Sequence, residues 1–342
     1  MAFRIFVAAS LALAPTSANA SANNGYNISA NAEMVNSPAQ RAAQSLTGPS
    51  ATNPAPLQTE ADLVESQVDR YERMTVPVTI EGEGPFYFMI DTGSQATAVT
   101  RGLTEKLELT PIGSATVVGM GSSRAAQLFQ LDGLEFAQRV LYNIEAPMLE
   151  ARNVGADGIL GLDSLQDLRV LIDFRNDTIA VNDAELLGGN RGYEIVVRAR
   201  HRLGRLIITS ANIDGVKTAI VLDTGAQSSF GNSKLKRRLR ARKLQEVSST
   251  DVHGQTIIGN LHKVRSLKIQ QLNIENISVT FADSPAFAAL GLGNRPALIL
   301  GMRDLRLFDR VAIDFASRKV LFDVPSGRRG RSRMSPGRIP GV

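Results

Sequence analysis

Residues 86–97 read FYFMIDTGSQAT, and residues 218–229 read TAIVLDTGAQSS. Each copy is an apolar run that ends in Asp-Thr-Gly, then a small residue, then Gln. A single copy reads as a strand that ends in a turn, with Asp and Thr folding the chain back and Gly supplying a positive φ. That reading does not explain two copies 132 residues apart (223 − 91). The surroundings repeat as well. Upstream, MTVPVTI, EGEGP and FYFMI read as strand, turn and strand. RLIITSANI, DGVK and TAIVL read the same way, the turn carrying an Asp-Gly hairpin signal. Downstream, Ile-Leu-Gly recurs at 159–161 and 299–301, and Asp-Phe at 173–174 and 314–315. Landmarks in one order at similar spacing make an internal repeat. The copies are expected to span 72–184 and 192–325, joined by the Gly-rich LLGGNRG.

The rest of the composition narrows the chemistry. The chain of 342 residues has room for about two domains, and 43% hydrophobic content suits a globular core. Cysteine is absent, which excludes disulfides, thiol nucleophiles and Cys-based metal sites. The histidines, His201, His253 and His262, lack HExxH spacing, so a zinc hydrolase is disfavoured and no metal or cofactor is expected. The net charge of +5 comes from the tail 326–342, which holds Arg328, Arg329, Arg331, Arg333 and Arg338. That tail reads as a disordered, solubilising appendage, with weak contact to an anionic surface as its alternative. No nucleic-acid partner is expected. KLKRRLRARK at 234–243 reads as a solvated helix face.

Residues 1–20 read as a signal peptide: a basic MAFR, the apolar run IFVAASLALA, and Ala18-Asn19-Ala20 as a cleavage site. Crossing a bilayer takes roughly 20 apolar residues, so this run is not a span, and no other segment is long and apolar enough. Export to the periplasm or medium is expected. Residues 21–71 read as a disordered leader or linker. Within the repeats, short β-branched segments punctuated by Gly, Asn and Asp predict all-β lobes. One short helix per lobe is expected, from TRGLTEKLEL and NSKLKRRLRARK.

A carboxylate at the end of a buried strand needs partners. Two related lobes can pack about a pseudo-two-fold axis, which would set Asp91 against Asp223. Such a pair cannot easily hold two charges and titrates as a unit. One member, as general base, would activate a water; the other, as general acid, would protonate a carbonyl oxygen. Gly93 and Gly225 would let backbone approach the carboxyls and donate N–H groups. Thr92 and Thr224 would bond across the axis. Ile159, Leu160 and Gly161, with Ile299, Leu300 and Gly301, would pack behind the loops.

These features resemble the aspartic protease superfamily, and in particular the bacterial retropepsin-like proteases with two tandem lobes in one chain. The resemblance rests on apolar-apolar-Asp-Thr-Gly followed by Ser94 or Ala226, on Thr97 or Ser229 six residues after the Asp, and on apolar-apolar-Gly near each lobe's end. It covers about 72–325. It implies closed β-barrel lobes, an Asp dyad at their interface, and flaps over a cleft that takes an extended peptide or protein substrate. With both halves in one chain, a monomer is expected. VVGMGSSRAAQLF supplies one flap tip at Gly119, Met120 and Gly121. TDVHGQTIIGN supplies the other at His253-Gly254, with His253 itself read as a solvated loop residue. Neither tip has a tyrosine, which favours the two-flapped pattern. A bond from the Ser94 hydroxyl would hold the charge on Asp91 and leave the proton on Asp223. Two other classes compete. A catalytically silent peptide-binding protein on the same scaffold has no need of both Asp residues. A sugar-kinase or actin-like ATPase needs alternating βα units and phosphate loops that the sequence lacks.

Overall fold

A computed structural model describes residues 74–325, apart from 138, 203–204 and 241. It also describes four short strands, Arg4–Phe6, Ala14–Pro15, Leu63–Glu65 and Gln67–Val68. Those strands aside, the expected signal peptide, leader and basic tail lie outside the described residues. Both lobes belong to one compact unit.

The hairpin that delivers each motif forms as its alternation dictates. In the first copy Val76, Val78 and Ile80 face the core with Phe86, Phe88 and Ile90 of the partner strand. In the second, Arg205–Ile213 and Val216–Leu222 join through Asp214-Gly215, both at positive φ (45° and 85°). Such a turn matches the twist of the strands it connects. Each Ile-Leu-Gly lies beside its motif strand as a short parallel neighbour. Ile159 aligns with Met89, and Ile299 with Val221.

The lobes close differently. In the second, the unbroken strand Thr256–Ile269 pairs with Leu272–Phe281 and then reaches Arg205–Ile213, completing a six-stranded barrel. In the first, the corresponding stretch breaks at Asp132-Gly133 into Ser123–Leu131 and Leu134–Phe136. Only the second fragment pairs with Met74–Ile80, so this sheet curls into a half-barrel.

The lobes join through one sheet. Arg169–Asp173 and Arg310–Asp314, the strands of the two Asp-Phe landmarks, pair antiparallel with Leu171 opposite Ala312. Equivalent strands running antiparallel are what a two-fold axis between them produces. At one end Arg169 and Asp314 form a buried ion pair of 2.6 Å. Arg169 also donates to the carbonyl of Gly189 and to Asn190 Oδ1, which binds the linker to the seam.

The expected helices stand after the motifs, at Arg101–Lys106 and Ser233–Lys236. The second takes up only the start of KLKRRLRARK. Asn232 caps it and Leu235 anchors it, but the next basic residues repel one another with no acidic partner, and a strand resumes at Arg242. Each lobe has two further short helices beyond the one expected: Ala151–Val154 and Leu162–Leu165, then Pro285–Ala289 and Met302–Leu305. Among the described residues no helix is long and apolar enough to cross a membrane.

Both flap hairpins present an outer strand edge. Arg4–Phe6 pairs with Thr116–Val118 on the first, and Ala14–Pro15 with Val247 and Ser248 on the second. The edges accept extended chain, as unpaired strand edges do.

Candidate active site

Each motif strand ends by bonding the Asp main chain to its Ile-Leu-Gly neighbour. Asp91 N–H donates to Leu160 O and Asp223 N–H to Leu300 O, both at 3.0 Å. The chain then turns so that the next amides point back. Asp91 Oδ1 accepts from Gly93 and Ser94 N–H at 2.8 Å each. Asp223 Oδ1 accepts from Gly225 N–H at 2.9 Å and Ala226 N–H at 3.0 Å.

The threonines bind the loops to each other. Thr92 N–H donates to Thr224 Oγ1 (3.0 Å), and Thr224 N–H to Thr92 Oγ1 (3.2 Å). Each hydroxyl then donates to the opposite strand, Thr92 to Leu222 O (3.1 Å) and Thr224 to Ile90 O (2.6 Å). This lattice brings each glycine against the other lobe's carboxyl. A methyl group on Gly93 would lie 2.5 Å from Asp223 Cγ, and one on Gly225 2.4 Å from Asp91 Cγ. Only glycine permits that approach.

The two carboxyls are within hydrogen-bonding reach of each other and fully enclosed. Burial pushes both above the usual aspartate value of 3.8. Asp223 goes well above it, because the charge of Asp91 adds to burial. For Asp91 the bonds from Gly93, Asp223 and Ser94 and the charge of Arg205 oppose the rise. The two carboxyls therefore share a proton as one unit, and the contact expected to bias it, a bond from the Ser94 hydroxyl to Asp91, is replaced by others. The Ser94 hydroxyl donates to Ala96 O (2.8 Å), and the Ser94 group that reaches Asp91 is its N–H, matched at Asp223 by that of Ala226.

Behind the loops, Thr97 and Ser229 rest on carboxylates that the sequence reading missed, Asp163 at the surface and Asp304 buried. Thr97 donates through N–H (2.9 Å) and Oγ1 (2.7 Å) to Asp163, and Ser229 through its hydroxyl to Asp304. The same hydroxyls accept from Gly161 and Gly301 N–H. Ile159, Leu160, Ile299 and Leu300 are buried alongside. The missed signal is the Asp two or three residues after each Ile-Leu-Gly (163 − 161, 304 − 301). Arg205 was also missed. It is buried, and its Nε donates to Gly93 O across the lobes at 2.9 Å. Its signal is an Arg 18 residues before each motif Asp (223 − 205, 91 − 73). Arg73 lies outside the described residues.

The flap tips cross over. Met120, at the tip bounded by Gly119 and Gly121, is buried in the second lobe's cluster with Ala226, Ile257 and Phe287. Val252 of the second flap is buried in the first lobe's cluster with Met89, Leu149 and Ile159. Between them lies Asp251, also buried. Its Oδ2 accepts from Gly121 N–H (3.1 Å) and Ser122 Oγ (2.7 Å) on the first flap. Its Oδ1 accepts from His253 and Gln255 N–H on its own. His253 is half-buried rather than solvated, because its Nε2 reaches across to Val117 O at 3.1 Å. Burial holds its imidazole below the usual histidine value. Gly254, at the expected second tip, closes the turn by donating to Asp251 O (2.9 Å).

Among the described residues no cluster of three or more His, Asp or Glu could hold a metal ion. A family model described as aspartyl protease matches the chain twice, over residues 76–164 and 209–303, once per lobe and over more than half the chain together. No curated protein matches it.

Proposed function

Because the chain belongs to the aspartyl protease family, we propose that it is an endopeptidase that hydrolyses peptide bonds with water activated by Asp91 and Asp223. The observation that carries this reading is the pair itself: two enclosed carboxyls, each held through Oδ1 by two loop amides, each set against the other lobe's motif glycine, and raised unequally by their surroundings. Unequal carboxyls in one site are what paired acid and base work requires.

A water held between the carboxyls loses a proton to Asp91 as its oxygen attacks the peptide carbon. Asp223 gives its proton to the carbonyl oxygen, leaving a neutral gem-diol and a charge now on Asp223. Collapse reverses the roles. Asp91 protonates the leaving nitrogen, the C–N bond breaks, and Asp223 recovers a proton from one hydroxyl. The pair ends as it began. The amides on each Oδ1 keep the carboxyls aimed during both transfers, and the enclosed setting strengthens every charge interaction.

The substrate is an extended peptide or protein segment. The flap edges at Thr116–Val118 and at Val247 and Ser248 already pair with extended chain, the geometry of main-chain recognition. Since the flaps enclose the carboxyls, they open before substrate enters. One chain supplies both halves, so the active form is a monomer. Residues 1–20 direct export to the periplasm or medium and are removed, which mass spectrometry of the secreted chain's N-terminus tests.

The deciding experiment incubates the purified protein with a diverse peptide mixture from about pH 3 to about pH 7 and reads new termini by mass spectrometry. Cleavage is expected. Peptide binding without cleavage at any pH would support a silent binding protein instead.

A further inference from the structure

We propose that Arg205 is a positioning residue of this site, a fixed counter-charge for the aspartate pair that also ties the first motif loop to the second lobe. The inference rests on the reading of Asp91 and Asp223 as the catalytic pair.

Arg205 begins the strand that precedes its own motif strand, yet its side chain serves the other lobe. Its Nε donates to Gly93 O at 2.9 Å. The N–H of that same Gly93 donates to Asp91 Oδ1 at 2.8 Å. Its Cα faces Asp223 so closely that an added methyl group would lie 2.5 Å from the carboxyl carbon. One residue thus stands between the guanidinium and both carboxyls. The Gly93 carbonyl shares its peptide group with the Ser94 N–H, which also donates to Asp91 Oδ1, so the bond from Arg205 and the bond to Asp91 polarise one amide and reinforce each other.

Charge balance gives the contact its purpose. Burying a guanidinium is costly without an opposite charge nearby. Arg205 is only 1% exposed. The aspartates can together carry zero, one or two negative charges. With Arg205 the singly charged pair makes the site neutral, and that is the state the proposed hydrolysis starts from. A fixed positive charge favours each loss of a proton from the pair, so it displaces both limbs of the pH profile toward acid.

The electrostatics agree. Burial lowers the Arg205 guanidinium to about 10 against the pull of Asp91 and Asp223, so it stays charged through acid and neutral pH. Other titratable groups near the loops are engaged elsewhere. Asp163 holds Thr97, Asp304 holds Ser229, and Asp251 and His253 join the flaps.

The test measures kcat/KM against pH for the wild type, Arg205→Met and Arg205→Lys, using a peptide from the cleavage screen. Arg205→Met should move both limbs to higher pH by roughly one unit. Arg205→Lys keeps the charge but loses the Nε bond, so the bell should fall in height and stay in place. A carboxyl-carbon NMR titration of Asp91 and Asp223 in each variant reads the same displacement without turnover, and circular dichroism confirms folding. Limbs that stay put in folded Arg205→Met, or that move equally in both variants, overturn the proposal. Persistent cleavage in Asp91→Asn would instead sink the underlying reading of the pair.

Discussion

Thr92 and Thr224 hold each other's loops by the same bonds in both directions. Each hydroxyl accepts the other threonine's N–H and donates to a carbonyl on the strand before it. All of these groups are buried, so deleting one hydroxyl leaves a donor and an acceptor unsatisfied. Thr92→Val preserves the shape and should cost about 1–3 kcal/mol per group left unpaired. Thr92→Ser should cost much less. Urea midpoints distinguish them; equal midpoints in both variants would show that packing alone joins the loops.

Asp251 joins the flaps through four accepted bonds, two from each flap. An amide in its place has one accepting oxygen, so Asp251→Asn must give up bonds. Bonds to a charged group contribute about 1.5–3 kcal/mol, and losing one should speed local opening by roughly ten- to a hundredfold. Hydrogen exchange at Gly121 and Gln255 is the measurement. Rates unchanged in Asp251→Asn would mean that Met120 and Val252 alone close the flaps.

At the seam between the lobes, Asp314 is the counter-charge of a fully buried Arg169. Asp314→Asn leaves that guanidinium uncompensated and should cost about 3–5 kcal/mol, whereas the double change Arg169→Met with Asp314→Leu should recover most of it. Chemical denaturation of the three proteins tests this, and a double variant no better than the single one contradicts it.

The dependence of stability on pH follows from burial. Asp223 and Asp304, both buried, are pushed above 3.8 by desolvation. A carboxyl raised in the folded state contributes stability that is full below 3.8 and is lost as pH rises through its raised value. Asp314 runs the other way. Burial would raise it, but Ser317 and Arg169 outweigh burial and hold it below 3.8. Its contribution is present above 3.8 and is lost as pH falls through the lowered value. The thermal midpoint should therefore peak in mild acid and decline toward neutrality. Asp223→Asn, which stays neutral, should flatten that decline. A wild-type midpoint that climbs from mild acid to neutral pH contradicts the assignment.

How much of this was legible in the sequence follows from the range of each interaction. The hairpins, the Ile-Leu-Gly neighbours and the helix after each motif rest on local alternation and turn chemistry, and all were readable. The repeat made the threonine lattice inferable, because symmetry brings equal loops together. Asp163 and Asp304 meet partners 66 and 75 positions away only when each lobe has folded, and Arg205 and Asp251 reach partners 112 and 130 positions away only when the lobes dock. Two misjudged features were local. Asp132-Gly133 stands in plain view as a strand breaker, and a basic run without acids makes a poor long helix.

The central claim is that neither Asp-Thr-Gly is a site by itself. The most direct measurement compares cleavage rates of Asp91→Asn, Asp223→Asn and the double variant. Residues that act as a unit give non-additive losses. Each single change should lower the rate by on the order of a thousandfold or more, and the double change should be no worse than either. A single variant that retains the wild-type rate, or losses that multiply in the double variant, would contradict the shared site.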